Sequence, residues 1–444
     1  PASHVTALAA AYQRGTGASP PPSELVPYPG WVFVPAHPDQ PTIAISAHAQ
    51  AAVAAGRRIP LQLDVRPVHH VRRSDASGHD HLDRDAVLRE VLTPLVEDHG
   101  CAGVVCNTVD DAQRTYEMVR EWAGSRAEVR LLHSRFPSQQ REEITEEIVA
   151  ALGKDGAKRP ERMIMVATQV IEQSLDLDFD LVISDLAPFA QLIQRAGRCY
   201  RHSHTRPRWA KGPRLVVLDP QHEGCHAKPL HWGDVYHPYL LRATHLRLAG
   251  VGKVQIPEDV QGHMEAIYSP TGISDPRLAD DYVDYQVEAM VGRQVADLWV
   301  VPDPQNVGDL AALSQGEITE GRAATRLGAE SVRVLCCYVD QDGGQWLDPE
   351  RTRPLQKSGS GPGERFDADE IRSILNLTIP VRESLLRGYQ PGIELPVRWE
   401  KIPWLGELRA LWFHLGPEGP RPIEIAGRAT RLDHELGLVA RRWP

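Results

Sequence analysis

The sequence predicts an α/β fold built on a parallel sheet over residues 86–220. Three observations predict it: apolar runs of strand length, stretches of helical spacing between them, and polar residues placed just after the runs. In order, 87–96 carries apolar residues at helical spacing, and 101–106 is an apolar run ending in Asn107-Thr108, a buried strand and its carboxyl edge. Ala112, Tyr116, Val119 and Trp122 return to the helical period. A strand at 129–132 follows, then a helix that Ser138 can cap, with Ile144, Ile148 and Leu152 as its stripe. Runs at 163–167, 181–184 and 215–218 give three more strands, with a helix expected over 189–201 between the last two. Functional residues are expected at the carboxyl ends of such strands.

The rest of the chain divides around this unit. Residues 1–70 mix a short helical stretch, a Pro/Gly-rich loop and brief apolar runs, and 71–85 has the aperiodic polar text of a linker. A helical connector is expected over 221–298 and a small mixed α+β accessory domain over 299–444. At 444 residues, 42% hydrophobic and 24% charged, the chain is too long for one core and too apolar for disorder. No run approaches the ~20 apolar residues of a bilayer-spanning helix, so no membrane role is expected. The balance of 49 basic against 59 acidic residues, net −10, excludes a surface that is basic throughout and leaves room only for a local basic groove. Six cysteines without a paired framework fit a reducing compartment, the cytoplasm.

The strongest chemical signal is Gln194-Arg195-Ala196-Gly197-Arg198-Cys199-Tyr200-Arg201. On a helix, Gln194, Arg198 and Arg201 would share one face, and two guanidinium forks suit a phosphate; the plain alternative is a solvated basic helix end. Residues 167–180 directly follow a strand, so Thr168 and nearby backbone N–H groups can hold a nucleic-acid phosphate while Asp176, Asp178 and Asp180 serve a nucleotide. An ordinary polar loop is the alternative there. Seven basic residues between Arg195 and Arg214, with Tyr200 and Trp209 among them and no acid, can track a phosphate backbone or form a solvated loop. No metal site is assigned: His79-Asp80-His81 lies in the linker without further ligands, and His222, Cys225, His226 and His231 form a His/Cys-rich stretch that could bind zinc although its spacing fits no common structural site. No G-x-x-x-x-G-K-[ST] is present, and Asp369-Glu370-Ile371 reads as the first turn of a helix and not as a magnesium site.

Val104-Val105-Cys106-Asn107-Thr108 and the segments 167–180 and 194–201 resemble the motifs of the second RecA-like lobe of superfamily 2 helicases. That superfamily usually has a Gly two places before the aspartate at Asp176, where this chain has Ser174. The spelling of 172–180, with Leu131-Leu132-His133-Ser134-Arg135-Phe136 upstream, is similar to the helicase-nuclease of type I CRISPR systems that the Cascade surveillance complex recruits. Thr325-Arg326-Leu327-Gly328 fits the same family, and Pro1-Ala2-Ser3-His4 resembles text of its first RecA-like lobe.

The resemblance implies a RecA-like sheet followed by a helical linker and an accessory domain, with 1–70 as the remainder of the first lobe. It implies an ATP-dependent 3′-to-5′ single-strand DNA translocase that unwinds target DNA for degradation in antiviral defence. By position, Arg198 and Arg201 would be arginine fingers, Gln194 would line the ATP cleft and Asp176 would face the nucleotide. Thr168 and Gln169 would hold single-stranded DNA, with Asn107, Thr108, His133, Ser134 and Arg135 as further contacts. ATP would come with Mg2+, whose ligands are expected on a first lobe; other partners would be that lobe, the HD nuclease domain, and Cascade with its guide RNA. Because Walker A, DExx and HD motifs are absent, the chain by itself is expected to be inactive. Two alternatives stay open: another superfamily 2 helicase or restriction-type translocase, and a non-catalytic module that binds DNA or Cascade.

Overall fold

The computed structural model describes residues 5, 8–12, 28–35, 37, 40, 43–71, 81–156, 158–172, 175–222, 225–226, 230–270, 272–273, 275–297 and 331–442. The expectations for 1–4, 79–80 and 325–328 lie outside them. Two compact units are present. One takes the chain up to Asp111 with Thr115–Arg130 and Val149–Tyr285; the other takes Ala112–Arg114, Leu131–Ile148 and Gln286–Pro444.

In the first unit a two-stranded hairpin, β1 (Val32–Phe33) and β2 (Ile43–Ala44), precedes the main sheet. That sheet contains β3 (Ile59–Val71), β4 (His81–Asp83), β5 (Gly100–Val105), β6 (Glu128–Leu132), β7 (Arg162–Ala167), β8 (Leu181–Asp185), β9 (Arg214–His222), β10 (Cys225–His226) and β11 (Lys253–Ile256). Their order is β11-β3-β9-β8-β5-β7-β6, with β4 added to β3 and β10 to β9. The pairs β3–β9, β9–β8, β8–β5 and β5–β7 are parallel. Every residue of β5 and β8 is buried, as a strand covered on both faces requires. Helices Asp85–Glu97, Val109–Ala123, Ser138–Leu152 and Phe189–Ala196 fall between the strands as periodicity predicts.

Two expectations need correction. The boundary drawn at 71–85 does not separate a preceding lobe from this sheet: β3 pairs with β9 over Gln62–His69, and its end turns back through His81–Asp83. Residues 59–71 are therefore sheet, and part of the supposed linker is strand. The helix expected over 189–201 ends at Ala196. After Gly197 the chain pairs with the segment leading into β8: the Phe179 N–H donates to the Arg198 carbonyl (2.8 Å), and the Tyr200 N–H to the Phe179 carbonyl (3.0 Å). Tyr200 takes φ +56° in that turn. Gln194, Arg198 and Arg201 are thus not three positions of one helix.

In the second unit, β12 (Ser331–Val339) is flanked by β13 (Gln345–Trp346), β14 (Thr378–Arg382) and β15 (Arg409–Gly416), and β15 pairs with β16 (Gly419–Pro420). β12 and β15 are parallel, and alternate side chains fill two cores: Leu335, Cys337 and Trp412 in one, Val334, Cys336 and Phe413 in the other. A meander follows: β17 (Ile423–Ile425), β18 (Arg428–Asp433) and β19 (Gly437–Arg442). Asp367 and Glu370 form a capping box on helix Ala368–Leu375, so the Asp369-Glu370 pair sits in a first turn, as expected.

Residues 131–148 join this unit for a local reason. The Ser138 hydroxyl donates to the Thr378 carbonyl (3.0 Å), the Gln139 N–H to the Asn376 carbonyl (2.8 Å) and Gln140 Nε2 to the His434 carbonyl (2.6 Å). Arg135 accepts the Leu438 N–H at 2.8 Å. Gly437, at φ +67°, lies so close that a Cβ there would meet the Arg135 carbonyl oxygen at 2.5 Å.

Candidate nucleotide and nucleic-acid site

The segment leaving β7 is the centre of the site. Thr168 ends the strand and opens the 3-10 turn Gln169–Ile171, with Ile171 buried beneath it. Farther on, Leu177 and Phe179 are fully buried anchors. The 197–201 turn grips this loop from the other side. Arg198 Nε donates to the Ile171 carbonyl (3.1 Å) and Nη2 to the Glu172 carbonyl (2.8 Å), while Nη1 has no hydrogen-bond partner among the described residues. Arg198, itself only 9% exposed, therefore bonds to carbonyl oxygens and, among the described residues, to no carboxylate. Burial and then the neighbouring Arg201 charge pull its guanidinium below the ordinary range.

Arg201 is exposed and pairs through Nε with Asp176 Oδ1, an oxygen that also meets His202 Nε2 at 3.0 Å. These contacts, the Arg201 hydrogen bond first, hold the Asp176 carboxyl below its usual value. Gln194 is exposed on the preceding helix. A rim of two adjacent arginines balanced by one exposed carboxylate carries surplus positive charge, the electrostatic requirement for a polyphosphate.

Sequence reasoning missed the interior layer under this rim. Arg195, counted above only as one member of a basic patch, is completely buried. It contacts Glu172 Oε1 (2.7 and 2.8 Å), the Ser184 hydroxyl (2.8 Å), the Tyr236 hydroxyl (2.8 Å) and Asn107 Oδ1 (3.3 Å). Arg84 forms a bidentate pair with Asp185, Nη2 to Oδ2 at 2.7 Å and Nε to Oδ1 at 3.1 Å, and approaches Asp111 at 3.5 Å. Burial opposes the Arg84 charge, but Asp185 and Asp111 outweigh it and raise its pKa. The available signal was position: Asp185 ends β8, where a parallel sheet presents its functional residues.

Part of the basic patch is spent on internal pairs, while Arg208 and Lys211 are exposed. Arg206 Nη2 meets both oxygens of Asp178 (2.7 and 2.9 Å), Nη1 reaches Asp180 (2.8 Å), and the guanidinium stacks over Tyr200 at 4.4 Å. Arg159 takes the other Asp180 oxygen at 2.9 Å. Trp209 Nε1 donates to the His99 carbonyl (2.8 Å), the Tyr200 hydroxyl to the Ala210 carbonyl, and Arg214 pairs with Asp64. Buried Asp178 and Asp180 are neutralised inside the fold and do not serve a nucleotide, and the polar tips of the two half-buried aromatics are tied to backbone carbonyls. Nor do Asp176, Asp178 and Asp180 form a set of ligands open to Mg2+, since each already holds a cation.

Among the residues expected to touch DNA, Thr168 and Gln169 sit together. Thr168 is 3% exposed and its hydroxyl has no partner among the described residues, while half-buried Gln169 donates through Nε2 to the Asn107 carbonyl (2.8 Å). Asn107 itself is buried, donating through Nδ2 to the Leu186 carbonyl (2.8 Å). Thr108 caps helix Val109–Ala123, its hydroxyl bonded to Asp111 Oδ2 at 2.7 Å. These two position the rim; neither presents a free side-chain donor to solvent.

His133, Ser134 and Arg135 belong to the other unit. His133 is completely buried and stacked on Phe136 (4.5 Å); Nδ1 accepts the Arg135 N–H (3.1 Å), so Nε2 carries the proton toward the Leu436 carbonyl (3.1 Å). Its ring is an interior fastener, and Ser134 and Arg135 are half-buried beside it.

With this geometry in place, likeness to known proteins becomes informative. The family described as "CRISPR-associated nuclease/helicase Cas3, C-terminal" matches residues 98–204, which enclose every rim residue. A curated CRISPR-associated endonuclease/helicase Cas3 of Thermus thermophilus is 32% identical over 424 residues, 80% of this chain and 44% of that protein. The chain is similar to the C-terminal portion of Cas3 proteins. The crystal structure of T. fusca Cas3-ATP agrees, with 37% identity and a TM-score of 0.85 over 98% of this chain and 49% of that one. So does a chain of a CRISPR RNA-guided surveillance complex, pre-nicking, with 36% identity and a TM-score of 0.76 over 99% of this chain and 52% of that one. The chain spans about half the length of the Cas3 relatives it matches. Among the described residues no helix is long and apolar enough to cross a membrane.

Proposed function

We propose that this chain is the second RecA-like lobe and accessory region of a type I CRISPR helicase-nuclease, and that its rim is the arginine half of an ATP site. One observation carries the reading: Arg198 is held by carbonyl oxygens with Nη1 left over, beside exposed Arg201, so the rim has cationic donors in excess of its carboxylates. An arginine finger needs that arrangement, because a donor fixed in place stabilises charge developing on a transferred phosphoryl group without reorganising. Gln194 lines the same cleft. Asp176 holds Arg201 until the nucleotide arrives. The likeness to Cas3-ATP supports the nucleotide, and the likeness to a surveillance-complex chain supports Cascade with its guide RNA as partner.

In this reading Mg2+ and the phosphate-cradling loop belong to a first RecA-like lobe, joined to an HD nuclease domain. Thr168 and Gln169 grip the backbone of single-stranded DNA, which the motor tracks 3′ to 5′ in the cytoplasm. The test is DNA-stimulated ATP hydrolysis by the purified chain, alone and mixed with a polypeptide carrying the first lobe. Background turnover alone and restored turnover in the mixture are expected. Robust hydrolysis by the chain alone would overturn the half-site reading.

A further inference from the structure

The His/Cys-rich text after β9 is not absorbed by the motor, and its geometry regroups it. Among the described residues His226, on β10, does not join His222 in a metal-ligating set. It meets Asp219 of β9 and His245 of helix Pro238–Leu248, and donor atoms of all three lie within 4.8 Å of one another. Asp219 is buried; its Oδ1 lies 3.1 Å from His226 Nδ1, and His245 Nδ1 straddles the carboxylate, 3.1 Å from Oδ1 and 3.0 Å from Oδ2. The two imidazoles stack with centroids 4.3 Å apart and planes inclined by 19°. Gln221 Nε2 donates to Asp219 Oδ2 at 3.2 Å and orients the carboxylate from behind.

We infer that Asp219, His226 and His245 form a binding site for one divalent transition-metal ion, with zinc the ion the donor set fits. Two neutral imidazoles and a carboxylate are borderline ligands of the kind zinc takes. The 3.1 Å spacing from oxygen to each nitrogen is close to the edge of about 3.3 Å that a tetrahedron with bonds of about 2.0 Å requires. One ion placed between the carboxylate and the two Nδ1 atoms would satisfy all three groups at once. Gln221 supplies the outer hydrogen bond that metal-bound carboxylates characteristically receive. With three protein ligands, water completes the coordination. The ion would fasten β10 and helix Pro238–Leu248 to the carboxyl end of β9, since each element gives one ligand.

The site makes no use of the arginine rim, and its test reads metal, not turnover. Tag-free full chain, stripped with a chelator and dialysed, is titrated with Zn2+ and separately with Co2+, whose visible absorption reports tetrahedral coordination. One equivalent of either ion should bind, Co2+ should develop intense d–d bands, and Zn2+ should raise the thermal midpoint. H226A, H245A and the conservative D219N should each weaken Zn2+ binding at least about 10-fold, while H222A binds as the parent does. Far-UV circular dichroism of D219N establishes that it is folded. Failure of the folded parent to bind Zn2+ more tightly than folded D219N, or loss of binding in H222A with H226A unaffected, would overturn the assignment.

Discussion

The arginines of 195–206 fall into two regions that differ only in what meets them. Buried Arg195 and half-buried Arg206 end on the carboxylates of Glu172, Asp178 and Asp180. At the rim, Arg198 ends on carbonyls and exposed Arg201 shares one exposed carboxylate. The lesson is that residue type does not assign function in a basic segment; the neutralising partner does. A guanidinium paired in the interior is costly to disturb and chemically silent, while one held by neutral oxygens keeps its charge for a ligand.

The largest effect expected from breaking this contrast is at the rim. Arg201→Ala, assayed for ATP hydrolysis after the first lobe is restored, should lower turnover by about 10³-fold or more. Chain stability should change by less than about 0.5 kcal/mol, as for an exposed surface group. Arg201→Lys should recover little, since an ammonium cannot form the planar fork. Near-normal turnover in Arg201→Ala would leave Arg198 as the finger or remove the assignment.

The converse substitution comes next. Arg195→Ala strands Glu172 and empties a fully buried polar position, and should cost about 3–5 kcal/mol in urea unfolding of the chain. A loss below about 1 kcal/mol would mean that the interior network is not what supports the rim.

The smallest effects sharpen the contrast between two threonines. Thr168→Ala should weaken single-strand binding by about 1 kcal/mol, roughly fivefold. The loss should be equal for two unrelated oligonucleotides in fluorescence anisotropy, because phosphate contacts carry no sequence. Thr108→Ala should spare binding and lower stability by about 1 kcal/mol through the lost cap. A reversal of these two results would move the DNA track off the β7 edge.

Sequence by itself determined the alternation of strands and helices from Asp85 to β9, the location of the 168–180 and 194–201 segments and their family, and the Asp369-Glu370 first turn. All of these are written in local periodicity or contiguous motifs. Tertiary structure alone decided that Ile59–Val71 joins the sheet, that the helix stops at Ala196, and that Asn107 and His133 face inward. It also decided which arginine is spent inside and which is left at the rim. The physical reason is distance along the chain. Arg84 meets Asp185 across 101 residues and Arg195 meets Asn107 across 88, and β3 finds β9 from more than a hundred positions away. A charge is neutralised, or left available, by whichever group the fold brings to it, and no local pattern records that encounter.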